Sequence, residues 1–277
     1  MSNESHEIHQ QTNTPVMNEF DSKKIVKRDF WLIPIYILNL TAIPIICGII
    51  GAYIGYAIVG NMSKKIFEDY YMNAATIGSV IGAFILLIVF YLMHKNNIKP
   101  IAISRFKALK KHIILIIGSI IMIYVFESFY QILMQFLPEK FQFNDTENNK
   151  DIAKMFTHGW LVPFLFLDIV ILTPFVEELI FRHLIIHELG KKLTYGLMYI
   201  VSILIFASLH CVGAKSPFEI GPYIIIASMI VFVYHKTGRN LAATITMHTI
   251  NNAVSFLIMV MGCLLYTSPS PRDRQKS

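Results

Sequence analysis

Charge is scarce in this chain of 277 residues: Asp, Glu, Lys and Arg together make up 15%, against roughly 25% in a typical soluble domain. Cysteine is scarcer. Cys47, Cys211 and Cys263 lie far apart and form no CxxC pair, which argues against a disulfide framework or a structural zinc site. No RNA- or DNA-binding motif accompanies the net charge of +6, so neither nucleic acid nor nucleotide is expected as a partner. No internal repeat is visible. No small-residue cleavage site follows the first apolar run, which is also too long for the core of a secretory signal.

Apolar sequence fills the space that charge leaves. Hydrophobic residues make up 55% of the chain, and the mean hydropathy is +0.54. Seven apolar runs lie at about 30–59, 72–93, 113–137, 160–186, 193–212, 220–234 and 241–262. About 20 apolar residues suffice to cross the hydrocarbon core, so the expected fold is all-α, a polytopic membrane bundle of about seven helices. A soluble, fully buried helical core is the competing reading, and seven such runs argue against it. Pro34 and Pro44 should kink the first span, and Gly48, Gly51 and Gly55 suggest close helix packing rather than a nucleotide site. Basic residues gather in the N-terminal tail, in residues 94–112, at Lys191 and Lys192, and at Lys236 and Arg239. Under strict alternation these four segments share one side, which puts the N-terminus in the cytoplasm of a cell-membrane protein. The lipid bilayer is then an obligatory partner.

Three segments follow from composition. Residues 1–29 read as a polar cytoplasmic tail, disordered over at least the first 22, where periodicity is absent. Residues 30–262 read as the membrane domain. Residues 263–277, beginning CLLYTSPSPRD, resemble a translated sequencing adapter and are set aside as a scar. On that expectation an eighth helix has been lost at the C-terminus.

Ionisable side chains inside spans are costly and are candidates for function. Glu127 falls in the third run, Asp168, Glu177, Glu178 and Arg182 in the fourth, His210 late in the fifth and His248 in the seventh. Glu177 to Arg182 reads EExxxR: Glu178 and Arg182 share a helical face and can pair, while Glu177 points about 100° away. Phe206 to His210 reads FxxxH, and His248 to Asn252 reads HxxxN. Counting from a turn at Lys191–Leu193 puts Glu177 and His210 at nearly equal height, roughly 25 Å along their helices, with His248 about 12 Å into its own. From these counts a shared site in the cytoplasmic half is expected.

The ordered set EExxxR, FxxxH, HxxxN resembles the CPBP family of intramembrane proteases, also called the CAAX-processing (Rce1-type) and Abi family. The resemblance covers about residues 160–262. It implies an endopeptidase whose centre is Glu177, His210 and His248, with Asn252 assisting and Glu178, Arg182 and Phe206 supporting. It further implies a peptide or membrane-protein substrate, either a CAAX-type tail or a small secreted peptide such as a bacteriocin. Glu177 would serve as general base, His210 would help hold the water, and His248 and Asn252 would stabilise the oxyanion. Glu177, His210 and His248 also make a His₂Glu set able to ligate Zn²⁺, so metal-dependent and glutamate-driven routes both stay open. A non-enzymatic scaffold or bacteriocin self-immunity partner is the alternative, and a proton-coupled transporter a third. His183 and His187, with Glu188 beside them, have ligand-like spacing but match no zinc-protease motif, and read as an interfacial helix face.

Overall fold

The computed structural model describes residues 19–267 apart from residue 157. The expected disorder of residues 1–18 and the adapter-like stretch 268–277 lie outside the described residues. Ten principal helices run in order: α1 (Leu32–Leu40), α2 (Ala42–Val59), α3 (Lys64–His94), α4 (Ile98–Lys107), α5 (Ile113–Met134), α6 (Glu147–Lys154), α7 (Gly159–Leu193), α8 (Tyr195–Leu209), α9 (Ile220–Lys236) and α10 (Leu241–Thr267). Among the described residues there is no strand. Six spans are long and apolar enough to cross a membrane, α1 and α2 together forming the first; α8, with 15 residues, is a seventh and shorter apolar helix. The chain is a multi-pass helical membrane protein. Ile49, Tyr53, Ile121 and Leu197 are exposed on the outer surface of the bundle, as lipid-facing side chains should be.

Proline explains the break in the first span. Pro44 has no N–H to give the carbonyl four residues back, that of Leu40, and the helix is interrupted at Thr41. Pro34 sits in the first turn of α1, where an N–H is dispensable. The three glycines of α2 do what their spacing suggested. A Cβ at Gly48 would stand 2.7 Å from the Tyr71 ring, one at Gly55 2.5 Å from Tyr70, and one at Gly51 would collide with Ala74 and lie 2.9 Å from the Tyr70 carbonyl. α2 and α3 therefore meet backbone to side chain over their common length.

The core is arranged around α7. One cluster joins α1, α3, α7 and α8 through Leu32, Leu86, Phe90, Leu184 and Phe206. A second joins α7 to α10 through Leu165, Val170 and Phe256. A third packs α5, α9 and α10 through Ile116, Ile230 and Met247. Two stretches of α7, Phe166–Leu172 and Leu179–Glu188, are wound as π-helix around one α-helical stretch, Thr173–Glu178. In the wider register the Ile169 carbonyl would look to the nitrogen of Pro174, which carries no hydrogen. Asn252 Nδ2 of α10 donates to it instead, at 2.9 Å.

The polar tail ends earlier than residue 29, and this corrects the sequence reading. Residues 19–29 fold onto the bundle through a buried polar clamp. Asp29, fully buried, accepts hydrogen bonds from His94 Nε2 at 2.9 Å and His183 Nε2 at 2.7 Å. His187 Nε2 donates to the Phe20 carbonyl at 2.7 Å, and the Val26 N–H donates to buried Glu188 at 2.7 Å. His183 and His187 are thus not an interfacial face. Asp29, one of several acids among the basic residues of the tail, gave no periodic signal, so composition alone hid the clamp. α10 also continues to Thr267, five residues into the segment set aside as a scar.

Two consequences follow. Gly51→Leu should cost about 1–3 kcal/mol of stability, seen as a lower thermal midpoint in micelles; an unchanged midpoint would show that α2 and α3 do not pack this closely. Asp29→Ala should remove the buried acceptor that His94 and His183 share, costing about 1–3 kcal/mol, and should speed tryptic cutting at Lys23 and Lys24, whereas unaltered cutting would argue against the clamp.

Candidate active site

The three motifs meet inside the bundle. Glu177 lies in the α-helical stretch between the two π-helical ones, His210 caps the C-terminus of α8, and His248 lies two turns into α10. His210 Nε2 stands 3.8 Å from Glu177 Oε1, and His248 Nε2 stands 3.7 Å from Glu177 Oε2. Glu177 and His248 are buried, and His210 is half-buried. The carboxylate is therefore flanked by two imidazoles, one at each oxygen.

Each imidazole is fixed from its far side. His210 Nδ1 lies 2.9 Å from the Phe206 carbonyl. His248 Nδ1 lies 3.0 Å from Glu178 Oε1. A carbonyl and a carboxylate can only accept, so both Nδ1 atoms carry hydrogen, and both Nε2 atoms are left facing Glu177. Glu177 Oε2 is itself buried without a hydrogen-bond partner among the described residues. The Glu177 carboxylate and the two Nε2 atoms thus surround a point that suits a water molecule.

Aromatic packing sets the ring planes. Phe206 stacks on His210 with centroids 4.4 Å apart and meets His248 at 5.9 Å. Tyr223 stacks on the opposite side of His210 at 4.9 Å. Beneath them Arg182 Nη1 approaches Glu178 Oε1 at 3.2 Å, both side chains fully buried, and the guanidinium lies over the Phe206 ring at 5.1 Å. Arg182 thus sets its charge against both the Glu178 carboxylate and an aromatic face.

A cavity of about 260 Å³ opens beside Glu177, His210 and His248. Asn252 lines it, although one of its hydrogens is committed to Ile169. Sequence reasoning did not single out Tyr223, Asn251, Thr173, Asn148 or Asn149, which also line it. Asn251 is the neighbour of a motif residue and could have been flagged. Tyr223, Asn148 and Asn149 belong to no motif and are brought in by the fold. Glu127 and Asp168 lie outside this lining.

The expected depth needs correction. The equal heights of Glu177 and His210 hold, but that height is not in the half near the basic loops. α8 is only 15 residues long, so a position about 25 Å from the Lys191–Lys192 turn is its far end. The cavity is accordingly walled by α6, in the connection between α5 and α7, and by the first turns of α9.

The donor set is chemically suited to zinc, but its spacing is not. Among the described residues no three His, Cys, Asp or Glu side chains are grouped so as to hold a metal ion. The two Nε2 atoms face different oxygens of Glu177 rather than sharing one point with it.

Residues 159–254 match the family model of the type II CAAX prenyl endopeptidases, Rce1-like. No curated protein and no solved structure matches the chain. The matched segment begins at the start of α7, ends two residues after Asn252, and contains EExxxR, FxxxH and HxxxN. Over residues 159–254 this membrane protein is similar to the Rce1-like family.

Proposed function

We propose that the chain is an intramembrane endopeptidase in which Glu177 activates water for attack on a peptide bond. The observation that carries this reading is the approach of both imidazole Nε2 atoms to the two oxygens of one buried carboxylate, at 3.8 and 3.7 Å. A water at this point donates to Glu177 and to His210 Nε2. As its oxygen attacks the substrate carbonyl, its proton passes to Glu177. The oxyanion is met by Nε2–H of His248 in its imidazolium form, which the Glu178 carboxylate at Nδ1 stabilises, and by the second hydrogen of Asn252 Nδ2. When the C–N bond breaks, Glu177 returns the proton to the leaving amine. Phe206 keeps His210 in plane, and Arg182 holds Glu178.

The substrate on this reading is a peptide or membrane-protein segment that reaches the cavity from the bilayer or its surface. Asn148, Asn149, Asn251 and Thr173 line the approach to Glu177 and suit a peptide backbone with amide and hydroxyl groups. The basic connections support a cytoplasmic N-terminus in the cell membrane. Residues 30–262 serve as one membrane domain with its catalytic core at 160–262.

Glu177→Gln should lower kcat/KM on a cleaved reporter peptide by about 10²–10⁴ with the thermal midpoint unchanged. An activity that survives the substitution would favour a scaffold or immunity partner. EDTA should leave turnover intact, and loss of activity restored by added zinc would overturn the glutamate-driven route. Arg182→Met should destabilise the protein by about 3–5 kcal/mol, because Glu178 would be left buried and charged. The double variant Glu178→Gln/Arg182→Met should recover part of that loss, and equal loss in single and double variants would show that the pair is not coupled.

A further inference from the structure

The two ends of the bundle are chemically unlike, and the catalytic cavity belongs to one of them. At one end the four basic connections are tied together. Lys191 Nζ donates to the Lys24 carbonyl at 3.3 Å, Arg105 pairs with Asp21 at 3.6 Å, Asn240 Nδ2 donates to the Arg105 carbonyl at 3.1 Å, and the Arg239 guanidinium lies 4.0 Å from the centroid of the Tyr195 ring. The tail, residues 94–112, the α7–α8 turn and the α9–α10 turn thus form one surface. It holds fourteen Lys and Arg, against six in the connections 60–71, 138–158 and 210–219. The opposite end is tied together in the same way, by Tyr130 to the Phe218 carbonyl at 2.8 Å, Ser216 to the Phe141 carbonyl at 2.6 Å, and Glu219 to the Glu147 N–H at 2.7 Å.

The cavity lies at that second end. α6 lies across it, with Asn148, Asn149 and Ile152 in its wall. Thr146, the N-cap of α6, meets the hydroxyl of Tyr223 at 2.7 Å, and the Tyr223 ring stacks on His210. Lys150 and then Lys215 hydrogen-bond Glu147 and hold its carboxyl down at about 2. The clamp on α6 therefore stays ionised at any physiological pH.

Positive charge in short connections marks the cytoplasmic face. We infer that Glu177 works from the extracytoplasmic side, and that the substrate is a peptide segment presented there: an exported peptide, or the outward juxtamembrane stretch of a membrane protein. Tails that remain in the cytosol face the wrong end of the bundle. The choice of substrate rests on the endopeptidase reading; the sidedness does not.

Sidedness can be tested without a substrate. In a background carrying Cys47→Ser, Cys211→Ser and Cys263→Ser, single probes Val212→Cys and Lys140→Cys mark the cavity end, and Lys192→Cys marks the basic end. With the protein in the membrane of intact bacterial cells, a membrane-impermeant maleimide should label the first two, and should label Lys192→Cys only after permeabilisation. Protection of Val212→Cys and Lys140→Cys until lysis, or equal labelling at both ends in intact cells, would overturn the inference. The unaltered chain gives an independent readout. Trypsin added to intact spheroplasts should cut at Lys140 or Lys215 and spare Lys191 and Lys192; cutting confined to the lysine pair, or seen only after lysis, would contradict it. Adding Glu177→Gln should leave both patterns unchanged, so sidedness and proteolysis can fail separately.

Discussion

The site depends on one buried carboxylate that does not face the cavity. Glu178 is fully buried, yet it holds Arg182 one turn along α7 and Nδ1 of His248 on α10. A carboxylate so placed is tolerable only when it is paired and hydrogen-bonded, since each ion costs several kcal/mol to desolvate. Its two partners meet that requirement and fix two further things. The distance between α7 and α10 is set by a polar contact rather than by apolar packing alone. The ring of His248 is locked with Nε2 towards Glu177. EExxxR and HxxxN are therefore one structural unit, joined by the second glutamate, and FxxxH joins them where Phe206 packs under Arg182 and against both imidazoles.

α7 carries this unit in its middle and a second polar cluster beyond it. Residues Glu177–Arg182 serve the cavity, whereas His183, His187 and Glu188 hold the N-terminal segment. Two faces of one helix can be used so densely because the helix is locally π-wound, which spaces side chains differently from the regular 3.6-residue turn. The widening has a local cost at the Ile169 carbonyl, and Asn252 meets it from α10. A residue of the HxxxN motif thus supports the backbone of the helix that bears EExxxR, and it also lines the cavity.

Much of this was legible in the residues. Run length alone gave the helical membrane fold, because the bilayer leaves few alternatives. Spacing put Glu178 with Arg182 and turned Glu177 elsewhere, since side-chain direction follows from helical geometry. The glycines of α2 foretold the close contact with α3. What stayed hidden depended on the third dimension. Which end of the bundle holds the site could not be counted without knowing that α8 stops at Leu209. Tyr223 and the α6 cover carry no motif, and enter the site because the connection between α5 and α7 folds back over it. Asp29 looked like one of several acids among the basic residues of the tail, and its meaning appears only when His94 and His183 arrive from helices 65 and 154 residues away in sequence.

The most direct test of the account is an experimental structure of the full chain in lipid, at a resolution that fixes the two imidazole rings. It should find Nε2 of both His210 and His248 turned towards Glu177 at about the 3.7–3.8 Å separations seen here, with Nδ1 of His248 on Glu178. Either ring rotated away from Glu177, or Glu177 directed into lipid, would contradict the shared site.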